Sequence, residues 1–127
     1  MRNLIVRPLN PNKGGHYVRK RMKEICLDVT GVDKELKSLP VDKALAFLHN
    51  LKLVAAGIEP ELKVEHLKVV APGVIELKIN GSPAYRCVYT IKSPGKVIVL
   101  RFFKKTTNGP ARKDLEVVKQ RLKNLKI

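Results

Sequence analysis

Two cysteines and three histidines are all that this chain offers to a metal ion or a nucleophilic triad, and their placement suits neither. Cys26 and Cys87 form no CxxC pair and read as reduced, buried thiols rather than a disulfide or a metal site. His16, His49 and His66 are scattered, with His49 on a predicted helix, so no zinc site and no Ser/His/Asp triad can be assembled. Long apolar runs are missing too. None approaches the roughly 20 residues of a membrane span, and the apolar Leu4-Ile5-Val6 is far too short for a signal-peptide core. A cytoplasmic protein without a membrane partner is expected. There is no internal repeat and no low-complexity segment.

Acidic residues are scarce: eleven Asp and Glu stand against twenty-six Lys and Arg, a formal charge of +15. Such a field attracts phosphate-bearing partners and releases their counterions on binding. The ordinary alternative is a lysine-rich surface, ribosome-associated or heat-adapted, with no dedicated site. The 127 residues are 44% apolar, which fits one domain with a real core.

What is present concentrates in residues 74–105. Three strand-like runs, 74–79, 84–91 and 97–103, are separated by the turns Asn80-Gly81-Ser82-Pro83 and Ser93-Pro94-Gly95. In the first run Ile75, Leu77 and Ile79 alternate with Glu76 and Lys78, which sends the two sets to opposite faces. The second is rich in aromatic and β-branched residues, with Arg86 inside it. The third is almost continuously apolar and ends in Lys104-Lys105. Two tight connections in succession predict an antiparallel meander.

Upstream, residues 1–21 hold Pro8, Pro11, Gly14 and Gly15 among six Lys and Arg. They are expected to be a basic arm, with a possible edge strand at 4–6 and either a partner-binding role or that of a solvated tail. Alternation over 22–29 predicts a half-buried strand. Residues 33–39 predict a short helix, and Val41, Ala44, Leu45, Leu48, Leu51 and Ala55 a longer one that begins after Pro40 and stops at Gly57. Residues 58–72 are expected to be a connector, with Leu62, Val64 and Leu67 tucked under the sheet. After Asn108-Gly109-Pro110 a last helix carries Leu115, Val118, Leu122 and Leu125 on one stripe. The expected fold is α+β: a small antiparallel sheet with an N-terminal αα-hairpin and a C-terminal helix, helices mainly on one face and the other free for a ligand.

This order, with Glu35-Leu36-Lys37-Ser38-Leu39-Pro40, Gly73-Val74-Ile75-Glu76-Leu77-Lys78, Tyr85-Arg86-Cys87-Val88-Tyr89, Phe103-Lys104-Lys105-Thr106 and Arg121-Leu122, resembles the RelE/HigB-like toxins of the RelE/ParE superfamily, closest to the phage-derived HigB-like branch. The resemblance covers about 22–126, so that 1–21 is an arm and 22–127 the RelE-like toxin domain. It implies the toxin of a type II toxin–antitoxin system, an endoribonuclease (mRNA interferase) that needs no metal or cofactor. Such enzymes cut mRNA, often on the ribosome, by attack of a ribose 2′-hydroxyl on the adjacent phosphate. A cognate antitoxin is the implied protein partner.

The resemblance places Arg86 on the scissile phosphate and Lys104 and Lys105 in charge neutralisation and proton transfer. It gives Lys78 a position where relatives often carry arginine, so the bidentate fork is lost. Tyr85 is expected to stack on a base, the alternative being the core position more usual for an aromatic in a strand, and Arg101, Arg112 and Lys113 to bind RNA. No Tyr or His lies near the C-terminus and no general base is evident. The alternative is therefore a non-catalytic binding module of the same fold, gripping RNA or the ribosome or acting like the gyrase-inhibiting ParE branch.

Overall fold

The computed structural model describes residues 6–8, 17–19, 22–106 and 108–127. Ten elements follow in chain order: β1 (Val6–Pro8), β2 (Tyr17–Arg19), β3 (Glu24–Cys26), α1 (Val32–Ser38), α2 (Val41–Ala55), β4 (Lys63–His66), β5 (Val74–Ile79), β6 (Ala84–Thr90), β7 (Lys96–Lys105) and α3 (Arg112–Leu125). β1 and β2 pair antiparallel with each other. Of the expected edge strand at 4–6 only Val6 is described, in β1, which belongs to this separate two-stranded sheet; the rest of the expected basic arm lies outside the described residues. No helix among those described is long and apolar enough to cross a membrane.

The fold is α+β, built on a five-stranded sheet in the order β3-β7-β6-β5-β4. The meander appears where alternation and turn residues put it, with β6 central and β7 beside it. Two features differ from expectation. β3 is shorter than the predicted strand and lies parallel to β7 at one edge, covering only Lys96–Ile98. The expected connector contains β4, an antiparallel partner of β5 whose four residues are all exposed. An edge strand with one partner and no buried face leaves almost no periodicity to read.

Both faces of the sheet are covered, which corrects the expectation of a free second face. On one face Ile75, Leu77, Tyr85, Cys87, Tyr89, Val97, Val99 and Phe102 meet Val32, Phe47, Leu51 and Ala55 of the α1–α2 hairpin. The rings of Phe47 and Phe102 stand 5.9 Å apart in a tilted arrangement. On the other face Val74, Val88, Leu100 and Phe103 pack against Leu67 and the α3 stripe of Leu115, Val118, Leu122 and Leu125. The α3 stripe was legible; which face it would choose was not. Buried Asn50 fastens the connector to α2, its Oδ1 accepting from the backbone N–H groups of Glu61 (2.7 Å) and Leu62 (3.0 Å).

A one-residue irregularity in β7 decides what each face receives. Tyr89 pairs with Val99 but Val88 pairs with Arg101, so Leu100 is the extra residue of a bulge. Before the bulge Val97 and Val99 face the hairpin; after it Phe102 does. A single inserted residue thus exchanges the two faces along the rest of the strand.

Past Ile98, β7 has no strand on its outer side, and side chains take that place. The Glu35 Oε1 accepts the Phe102 backbone N–H (3.1 Å), while Arg121 Nη1 donates to the Leu100 carbonyl (2.9 Å) and to Glu35 Oε1 (3.0 Å). Arg121 Nη2 reaches Glu35 Oε2 at 2.8 Å. Arg101 adds Nη1 to Glu35 Oε2 at 2.7 Å and Nε to Asp114 Oδ1 at 2.9 Å. Gly31, at the start of α1 with φ of 95°, lies so close to the Arg121 guanidinium that any Cβ there would collide with it. Gly31→Ala should therefore lower unfolding free energy by about 1–3 kcal/mol, from backbone strain and displacement of Arg121. Chemical denaturation measures it; an unchanged midpoint would mean that the network yields freely.

Candidate functional site

At the end of the sheet where β5 turns into β6 lies a cavity of about 680 Å³. Residues 80–84 form one wall, Lys104, Lys105, Thr106 and Asn108 the other, and Arg86 lines it between them. The register explains the grouping. Arg86 stands opposite Lys78 on β5 and Phe103 on β7, and Ala84 stands opposite Lys105. Side chains of Asn80, Ser82, Thr106 and Asn108 add polar groups to a rim otherwise dominated by three cations.

Arg86 is the most constrained of these. Its side chain is only 8% exposed. Nη1 donates to the carbonyls of Tyr85 (3.0 Å) and Ile79 (3.4 Å), and Nε lies 3.8 Å from Glu76 Oε1. Nη2 has no acceptor among the described residues. A guanidinium held on two sides with a remaining donor edge, in a residue lining a cavity, is preorganised for an oxyanion.

Glu76 was not singled out by the sequence. It sits two positions before Lys78 on the face shared with Arg86, and its side chain is 9% exposed. Burial pushes its carboxyl above the ordinary value; nearby Arg86, Lys78 and Lys105 oppose that shift, and Glu65 adds to it. Since the folded carboxyl keeps its proton to higher pH than the unfolded chain, its contribution to stability is fully present below the unfolded value. That contribution is lost as pH rises through the folded value.

The other expected site residues divide. Lys105 shares the face of Arg86, whereas Lys104 pairs with Tyr85 and by alternation belongs to the hairpin face. Lys104 nevertheless reaches both sides of the sheet end: it lines the main cavity and a second one of about 480 Å³ with Ser38, Leu39, Pro40, Tyr85 and Phe103. Tyr85, 8% exposed, is mainly core with one side on that second hollow. Lys78 is outside the main cavity, its Nζ 2.5 Å from Glu65 Oε1. Arg112 and Lys113 are exposed at the start of α3 and line a third hollow, of about 400 Å³, that has Thr106 in common with the first.

Arg101 is not part of this strip. It is engaged by Glu35 and Asp114, with its guanidinium carbon 5.8 Å from the Phe103 ring centroid. Removing one member of a mostly buried ion pair strands the others, so Arg101→Ala should lower stability by about 2–3 kcal/mol. Arg112→Ala, on an exposed residue, should stay within about 0.5 kcal/mol. Thermal melts of the two variants test the assignment, and equal melting temperatures would refute it.

The chain matches the family model of phage-derived Gp49-like proteins (DUF891) over residues 34–123, from within α1 to within α3. No curated protein matches it.

Proposed function

Because the chain belongs to the phage-derived Gp49-like family, a family of RelE/HigB-like toxin-type proteins, we propose that it is the toxin of a type II toxin–antitoxin pair and a metal-independent endoribonuclease. The observation that carries this reading is Arg86, a buried guanidinium with one donor edge left over, lining a cavity beside Lys104 and Lys105 on a chain of charge +15. The substrate would be mRNA, engaged on the ribosome.

Cleavage by a ribose 2′-hydroxyl needs the nucleophile in line with the 5′-oxygen it displaces, and it needs the phosphorane's added charge stabilised. Fixed cations in a partly dry groove supply both orientation and stabilisation. In this scheme Arg86 binds the non-bridging oxygens and Lys105 neutralises the developing charge. Lys104, at the border of two cavities, holds the adjoining nucleotide and is placed for proton transfer. Arg112 and Lys113 extend the positive strip along the RNA backbone. Lys78 acts on the site through its field. The cognate antitoxin would cover the same strip with an acidic or extended segment.

One observation favours a second reading, a non-catalytic module that grips RNA, the ribosome or another target in the manner of the gyrase-inhibiting branch. Among the described residues the main cavity is lined by no carboxylate, imidazole or phenol, so only lysines stand ready to move protons. Mapping RNA 5′ ends after brief induction separates the two. The nuclease reading expects new ends in the wild type and a fall of about 10²-fold or more in Lys105→Ala and Arg86→Lys. Growth arrest without new ends would establish the second reading instead.

A further inference from the structure

Among the described residues Glu76 is the one buried acid, it faces the cavity-lining Arg86, and the scheme above does not use it. Its placement is costly. A carboxylate 9% exposed faces Arg86 at 3.8 Å, too long for a hydrogen bond, so the pair lacks the close geometry that offsets desolvation. The charged groups around it come from every neighbouring strand: Glu65 on β4, Lys78 on its own β5, Arg86 on β6 and Lys105 on β7. Of these, Lys78 is already paired with Glu65. Arg86 therefore stands between two claims, the fixed carboxylate on its Nε side and any oxyanion that meets its Nη2.

We propose that anion binding at Arg86 is linked to protonation of Glu76: a phosphodiester oxygen entering the cavity draws a proton onto the Glu76 carboxyl. The added negative charge beside an already desolvated carboxylate disfavours its ionised form. Arg86 then serves the incoming anion, while the neutral acid remains beside it without repelling the ligand. Linkage makes the effect reciprocal, so protonated Glu76 strengthens anion binding by the same factor by which the anion favours the proton. Glu76 is a positioning residue in this account, acting through Arg86. The inference rests on reading the cavity as a phosphate site but not on cleavage.

The test uses the full chain with its glutamate side chains labelled for carbon NMR. The Glu76 carboxyl is titrated without and with sulfate, a tetrahedral dianion of constant charge over the range used. The expected result is a rise of about 1 pH unit in the Glu76 midpoint, equivalent to about tenfold tighter sulfate binding to the protonated form. Sulfate binding at Arg86 with an unmoved midpoint would overturn the proposal, and so would no sulfate binding at all. A second arm measures a 2′-O-methyl RNA oligonucleotide, which cannot be cut. Wild-type affinity should rise as pH falls, whereas Glu76→Gln should bind more tightly than wild type at the alkaline end with a flattened profile. A Glu76→Gln profile as steep as the wild type would count against the linkage. Sulfate linkage without RNA binding would leave the linkage standing and remove the RNA reading.

Discussion

The outer edge of β7 beyond Ile98 is the constraint around which much of the molecule is arranged. A buried strand cannot end its pairing on one side halfway along without leaving backbone donors and acceptors unmatched. Glu35 and Arg121 supply those partners from two helices on opposite faces of the sheet, meeting the Phe102 N–H and the Leu100 carbonyl. The same carboxylate binds Arg101, which also holds Asp114 at the start of α3. One cluster therefore closes the edge, ties the hairpin to the C-terminal helix, and fixes the strand segment that leads into Lys104 and Lys105. The cavity end of the sheet depends on it without any of these groups lining the cavity.

The bulge at Leu100 acts on the same strand in a different way. Alternation alone, counted from Val97, would put Lys105 on the hairpin face and Lys104 with Arg86. The extra residue reverses that assignment, and it also turns Arg101 away from a hairpin core that has no place for a cation. Lys105 is thus brought to the side of Arg86 and Lys104 to the hairpin side, where it borders the second hollow as well as the first. Arg86 is fixed by the turn before it, since its Nη1 partners are the carbonyls of Ile79 and Tyr85 at the close of one strand and the opening of the next.

Much of this was legible in the sequence, and the gaps have physical causes. Turn residues flanking strongly alternating or apolar runs gave β5, β6 and β7, and helical periodicity gave α2 and α3, because each buries a well-defined face. β4 escaped because all four of its residues are exposed. The parallel β3 looked like any short half-buried strand, since direction leaves no mark on composition. Arg86 was found through a family resemblance, but its burial and its two carbonyl partners are tertiary facts. Arg101 carried the same charge as the site residues and no local sign that Glu35, 66 positions away, would engage it. Glu76 was in plain view in the alternation; what marks it is desolvation, which a linear chain does not display.

The two edges of the sheet are protected by different physics. The β7 edge is covered by a partly buried cluster that dissolved ions reach poorly. Among the described residues no strand pairs with the outer side of β4, and the charges of Lys63, Glu65 and the neighbouring pair partner Lys78 stand against strand addition by another chain. Protection by exposed charge weakens as the screening length contracts, from about 8 Å at physiological ionic strength to about 3 Å at 1 M. Rising ionic strength therefore weakens what guards β4 while leaving the partly buried β7 cluster largely intact.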